Sequence, residues 1–115
     1  MESNTQTKIR TIDDIGIIEI SGEVTSFSEE VLERAYEQLT KKSIAKIAFN
    51  FEGVSYINSA GMAIIISILT KSRDRGQALS CWGLSEHFRK IFDMVGITKY
   101  ISNHNSEDEA LRGLA

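Results

Sequence analysis

From residue 44 onward the chain alternates short apolar runs with helical patterns, and this alternation restricts the fold more than any other feature. Residues 44–51, Ile-Ala-Lys-Ile-Ala-Phe-Asn-Phe, are rich in β-branched and aromatic side chains and are shorter than a typical helix, which predicts a central strand. Residues 59–73 then carry a helical pattern that Gly76 stops, and residues 79–84 predict another strand. Ser85 caps a helix predicted over 86–95, ended by Gly96. A strand–helix–strand order requires crossover connections. The predicted architecture is therefore α/β, a mostly parallel central sheet with helices packed against it.

The first third of the chain is consistent with this plan. Residues 7–12 and 15–20, separated by Asp13-Asp14, predict two strands or a hairpin. A loop over 21–25 leads to Ser26-Phe27-Ser28-Glu29, whose serine and glutamate three apart suit a capping box. The helix expected over 27–39 places Val31, Leu32, Ala35 and Leu39 on one face. A turn is expected over 52–58. Residues 97–101 read as a short final strand or extended segment, and Ser106-Glu107-Asp108-Glu109 predicts a capped C-terminal helix. With 115 residues and 42% hydrophobic content, the expectation is one domain over 1–115 with one modest core. No proline, repeat or low-complexity tract marks a linker.

Charge and composition exclude several function classes. The formal net charge is -3 and Lys and Arg are dispersed, so the basic stripe that a phosphate backbone requires is missing and nucleic acid is not an expected partner. The start, Met1-Glu2-Ser3-Asn4-Thr5, lacks the pattern of a signal peptide, and no apolar run approaches the roughly 20 residues that span a bilayer. The expected location is cytoplasmic, with no membrane association. Cys81, the one cysteine, lies in the apolar stretch 78–84 and reads as a small core residue. His87 and His104 are far apart and lack partners at metal-ligand spacing. Phosphate cradles and nucleophile elbows are absent too. No catalytic set, metal or cofactor is expected, and the chain reads as a binding domain.

The specific chemistry lies at Tyr56-Ile57-Asn58-Ser59-Ala60-Gly61-Met62, where the chain enters a helix. The first backbone N–H groups of a helix lack intrahelical partners and carry partial positive charge, so oxygens and anions are favoured there. Either Asn58 or Ser59 suits the N-cap. If Asn58 takes it, Ser59 is the first helical residue with its hydroxyl free to face solvent. At about 100° per residue, Met62, Ile64, Ile65, Ile66, Ile68 and Leu69 cover roughly 200°, more than one core stripe needs. Ser59, Ala63, Ser67 and Thr70 form a small, uncharged remainder with Met62 and Ile66 along one margin and Lys71 along the other. Such a face permits close approach by a partner.

At these residues the sequence resembles the STAS family, shared by sulfate transporters and anti-sigma factor antagonists, and most closely its free-standing antagonists. The resemblance spans nearly the whole chain. It is carried by Ile-Ser-Gly-Glu-Val at 20–24, the strand 47–51, Phe-Glu-Gly-Val-Ser-Tyr-Ile at 51–57, Asn-Ser-Ala-Gly at 58–61, and Phe-Arg-Lys-Ile-Phe-Asp-Met-Val-Gly-Ile at 88–97. It implies a single STAS-like domain whose Ser59 is phosphorylated by a partner that is both serine kinase and anti-sigma factor. It also implies binding when unmodified, release when phosphorylated, and restoration by a PP2C-type phosphatase. ATP and metals would belong to those partners, leaving this chain without a cofactor. The family's usual aspartate is replaced here by Asn58, and Ala60 leaves Ser59 the only hydroxyl of the signature; Ser55 is a weaker acceptor nearby. The expected docking surface takes Gly22, Glu23, Thr25 and Ser26 from the loop, and Tyr56 and Asn58 from the turn. The helix adds Ser59, Ala60, Met62, Ala63, Ile66, Ser67 and Thr70. A module that binds a protein or small ligand constitutively is the alternative. A monomer is the default, and a symmetric dimer through the helix at Ser59 is left open.

Overall fold

The structure, a computed structural model, describes residues 4–115. The polar residues 1–3 of the expected lead-in lie outside the described residues. Strand β1 (Thr5–Ile12) turns through Asp13 and Asp14 into β2 (Ile15–Val24) as an antiparallel hairpin. A 3-10 turn (Ser26–Ser28) leads into α1 (Glu29–Thr40), followed by β3 (Lys46–Ile57), α2 (Ser59–Asp74), β4 (Ala78–Trp82) and α3 (Glu86–Met94). A second 3-10 turn (Ile97–Lys99), β5 (Ile101–His104) and α4 (Glu107–Arg112) complete the chain. The five strands lie in the order β1-β2-β3-β4-β5, and every pair after the hairpin is parallel. The α/β architecture expected from the alternation of patterns is the one observed.

Strand alternation divides the interior in two. Ile18, Ile20, Ile47, Phe49, Phe51, Leu79 and Cys81 point to one face, where they meet Leu32, Tyr36 and Leu39 of α1, Ile64, Ile65, Ile68 and Leu69 of α2, and Phe92 of α3. Ile15, Ile17, Ala48 and Trp82 point to the other and are covered by Ala110 of α4 and by Leu114. Each fully buried Leu, Ile or Phe contributes roughly 1.5–3 kcal/mol, so the larger cluster dominates stability and fixes how α2 lies on the sheet. Arg10 of β1 ties α4 down by pairing with both Glu19 and Glu107.

Several local expectations are corrected. Residues 21–24 and 52–57 are strand rather than loop and turn: Ser21, Gly22, Glu23 and Val24 pair with Gly53, Val54, Tyr56 and Ile57. Two register shifts, between Glu19 and Ser21 and between Gly22 and Glu23, let this polar stretch continue the ladder. Its turn-like composition thus marks bulges, which interrupt a ladder without ending it. The capping box is one residue earlier than expected: the Thr25 Oγ1 accepts the Phe27 N–H at 3.2 Å, and the Ser28 Oγ accepts the Thr25 N–H at 2.8 Å. Ser26 is exposed and caps nothing. Strand β4 stops at Trp82, two residues short of Leu84. The last strand starts at Ile101, because 97–99 form a 3-10 turn. Ser106 does cap α4, accepting the Glu109 N–H at 3.2 Å.

Candidate functional site

The head of α2 is built by its own sequence. Asn58 is extended and its Oδ1 accepts the Gly61 N–H at 2.8 Å, so Asn58, not Ser59, is the N-cap. Its own N–H donates to the Val24 carbonyl at 3.2 Å, fastening the β3–α2 junction to the end of β2. Gly61 completes the fit. A Cβ at this position would lie 2.1 Å from the Val24 oxygen, so only glycine lets α2 start this close to β2. The second close approach is at Gly22, with φ of +86°, where a Cβ would lie 2.1 Å from the Asn4 carbonyl oxygen. Beside it the Thr5 hydroxyl donates to the Glu23 carbonyl at 2.6 Å, and Glu23 accepts the Asn4 amide at 2.7 Å. These contacts bring the β2 corner and the start of α2 together as one surface.

Ser59 is the first residue of α2 and is exposed. Its hydroxyl has no hydrogen bond among the described residues. Ala60, Ala63 and Ser67 are exposed on the same helix, Ile66 and Thr70 are half-buried, and Tyr56 is 48% exposed at the end of β3. On the β2 corner Ser26 is exposed, while Gly22, Glu23 and Thr25 are half-buried. Ser55 is also exposed, and is the residue skipped in the register between Val54 and Tyr56. Met62, expected along one margin of this face, is 8% exposed and packs in the core, with one side left on the groove described below. Thr70 lies 11 residues after Ser59, roughly 16 Å farther along the helix, well away from the hydroxyl. Lys71 closes the other margin by pairing with Glu33 of α1 at 2.8 Å, which holds its ammonium above the usual lysine range.

Between α2 and α3 runs an open groove of about 370 Å³. One wall is Ser59, Met62, Ala63 and Ile66; Ile57 and Asn58 close its head, and Ile91 and Val95 of α3 form the opposite wall. No charged side chain lines it. Val95 is 49% exposed, Met94 beside it is 84% exposed, and Phe27 next to the β2 corner is 50% exposed. Ile91, Met94, Val95 and Phe27 are not among the residues expected at the surface from the sequence. The i, i+3, i+4, i+7 spacing of Phe88, Ile91, Phe92 and Val95 announces an apolar stripe on α3. How much of that stripe α2 leaves uncovered depends on how the helices cross.

Cys81 is fully buried, and burial pushes its thiol up to about 12. No cluster of three or more His, Cys, Asp or Glu side chains that could hold a metal occurs among the described residues. No helix of the described residues is long and apolar enough to cross a membrane.

The model of the STAS domain family matches residues 6–110. An anti-sigma-B factor antagonist from Listeria monocytogenes is 26% identical over 109 residues, 95% of each chain. An anti-sigma factor antagonist from Mycobacterium paratuberculosis superposes with a TM-score of 0.82 at 17% identity, covering 99% of this chain and 98% of that one. The Bacillus cell fate determinant SpoIIAA, solved in the phosphorylated form, gives a TM-score of 0.74 at 17% identity over 96% of this chain and 100% of its own. At such identities the superpositions establish the fold. With the family match running from β1 into α4, and Asn-Ser-Ala-Gly seated at the head of α2, this chain belongs to the STAS domain family.

Proposed function

We propose that this chain is a partner-switching regulator of the anti-sigma factor antagonist type. Unmodified, it docks a cytoplasmic serine kinase of anti-sigma type. Phosphorylation of Ser59 releases that partner, and a PP2C-type phosphatase restores docking. The chain acts as ligand and substrate and not as an enzyme; nucleotide and metal belong to the partners.

The observation that carries this reading is the position of Ser59, an exposed hydroxyl without a hydrogen bond among the described residues, at the head of α2 and at the rim of an uncharged groove. A phosphate there carries about -1.5 to -2 charges at neutral pH. At a helix N-terminus that charge is favoured by about 0.3–1 kcal/mol, so the modified domain stays folded. Inside a docked, dehydrated interface the same charge loses its water without a counter-ion from this groove, at a cost of several kcal/mol. Each 1.4 kcal/mol is a factor of ten in affinity, so the partner leaves. The switch works through the interface, not through unfolding. Docking is proposed to use the β2 corner at Gly22, Glu23, Thr25 and Ser26, with Tyr56, Asn58 and Ala60 around the serine. Ala63, Ile66, Ser67 and Thr70 extend it along α2, with Met62 as the floor of the groove.

Site-mapping mass spectrometry on protein recovered from its native cells, beside a Ser59→Ala variant, tests this. Phosphate on Ser59, absent from the variant, is the expected result; a serine unmodified under every growth condition refutes switching. Asn58 favours a second reading in that event. It keeps the cap but lacks the carboxylate usual in the family, so a kinase passing it by would leave a constitutive binding module.

A further inference from the structure

We infer that Thr5 and Ser28 are positioning residues for Ser59: their hydroxyls form a buried hydrogen-bond chain that aims the Val24 carbonyl and so seats the head of α2 for the partner. The inference rests on Ser59 being the switched residue. Ser28 is fully buried and Thr5 is 5% exposed, so neither side chain touches a docked protein. A carbonyl oxygen only accepts, so the Thr5 proton goes to the Glu23 oxygen at 2.6 Å. The Ser28 proton is then left for the Thr5 oxygen, with the Glu23 oxygen a longer alternative at 3.4 Å. The Ser28 oxygen in turn accepts the Thr25 N–H at 2.8 Å. Each hydroxyl gives one proton and takes one, and a satisfied buried network of this kind fixes a single arrangement.

The two ends of the chain grip the main chain on either side of Val24. The Thr25 N–H and the Val24 carbonyl belong to one planar peptide group, so holding the first aims the second. That carbonyl accepts the Asn58 N–H at 3.2 Å, and its oxygen occupies the space a Cβ on Gly61 would need. Asn58 then caps α2 through the Gly61 N–H at 2.8 Å, one residue before Ser59. Backbone pairing does not supply this control. Among the described residues β1 pairs with β2 only as far as Thr5 and Gly22, and the β2–β3 register shifts between Gly22 and Glu23. The hydroxyl chain takes hold at the step where both ladders loosen.

Amide hydrogen exchange, read by NMR on the isolated unphosphorylated chain, tests this without a partner. Thr5→Val is nearly isosteric and removes the links to Glu23 and Ser28. It should speed exchange at Asn58 and Gly61, relative to Cys81 in β4, on the order of tenfold. Thr5→Ser keeps the hydroxyl and should restore the wild-type ratio, while Ser28→Ala cuts the same chain from its other side and should match Thr5→Val. Ser80→Ala is the control. It deletes another buried hydroxyl, one that donates to the Ala110 carbonyl at 3.0 Å on the opposite face of the sheet, and should leave the ratio unchanged. Affinity for the cognate anti-sigma-type kinase should fall about tenfold in Thr5→Val and return in Thr5→Ser. An unchanged ratio in both Thr5→Val and Ser28→Ala overturns the inference, as does a Thr5→Ser that fails to restore it or a Ser80→Ala that reproduces the effect. A Thr5→Val chain that binds the kinase as tightly as wild type overturns it too. A wild-type chain that does not bind the kinase counts against partner switching alone, and the exchange ratios then decide the hydroxyl chain by themselves.

Discussion

Gly61→Ala sets two physical effects against each other at the head of α2. Helix propensity favours alanine over glycine by about 1 kcal/mol inside a helix. Packing opposes it, because the new Cβ would lie 2.1 Å from the Val24 oxygen, 2.5 Å from the Val24 carbonyl carbon and 3.0 Å from the Thr25 nitrogen. These are backbone atoms, which cannot swing aside, so the helix itself must retreat by about 1 Å. The retreat lengthens the bond from the Asn58 N–H to the same Val24 carbonyl, now 3.2 Å. Overpacking costs about 1–3 kcal/mol and a buried carbonyl left without its donor about 1–3 kcal/mol. After the propensity gain, the net loss is about 1–5 kcal/mol. For a domain of this size that is a fall in Tm of about 4–20 °C. Thermal and urea unfolding followed by circular dichroism measures it, with Ala60→Gly as a control that changes propensity without this contact. A Gly61→Ala protein as stable as wild type, or more so, would refute the account of how α2 is seated.

Three further outcomes follow from the same contacts. Asn58→Ala removes the acceptor of the Gly61 N–H and should cost about 1 kcal/mol in urea unfolding. Asn58→Asp keeps the acceptor and adds a charge the helix dipole favours, gaining about 0.3–1 kcal/mol near pH 7, a gain that disappears as pH falls through the carboxylate range. Cys81, with its thiol pushed from 9.0 to about 12, stays protonated in the folded chain while the unfolded thiol ionises. Its contribution is complete below pH 9.0 and is lost as pH rises toward 12, by about 1.4 kcal/mol per unit. Wild type should accordingly lose about 1 kcal/mol more stability than Cys81→Ala between pH 9 and 10, where the unfolded thiol is still only partly ionised, and native Cys81 should resist thiol reagents at pH 8.

The fold was legible where side-chain period and chain order agree. The run at 44–51 and the stripe Ile64, Ile65, Ile68 and Leu69 each admit one element, and crossover rules then supply the sheet. Legibility failed where composition misleads: Glu52, Gly53 and Ser55 suit a turn, yet parallel pairing with β2 carries them as strand through two register shifts. At the site, cap chemistry is local, so the head of α2 could be narrowed to Asn58 or Ser59 before its geometry was known. Met62 is more buried than its place on the margin of α2 suggests, because helix angle alone does not say where a neighbouring helix lies. The α3 wall of the groove was missed for the same reason. Its exposure arises from how two helices cross on a sheet, a tertiary property that neither stripe contains.

The most direct test of the central claim is to phosphorylate Ser59 fully and compare, by calorimetry, the affinity of both forms for the cognate anti-sigma-type kinase, alongside their melting temperatures. The account predicts a loss of affinity of at least a hundredfold on phosphorylation, with Tm unchanged or slightly raised. Equal affinity of the two forms would contradict the interface switch, and a lost affinity matched by a collapse in Tm would show that the phosphate acts by unfolding the domain instead.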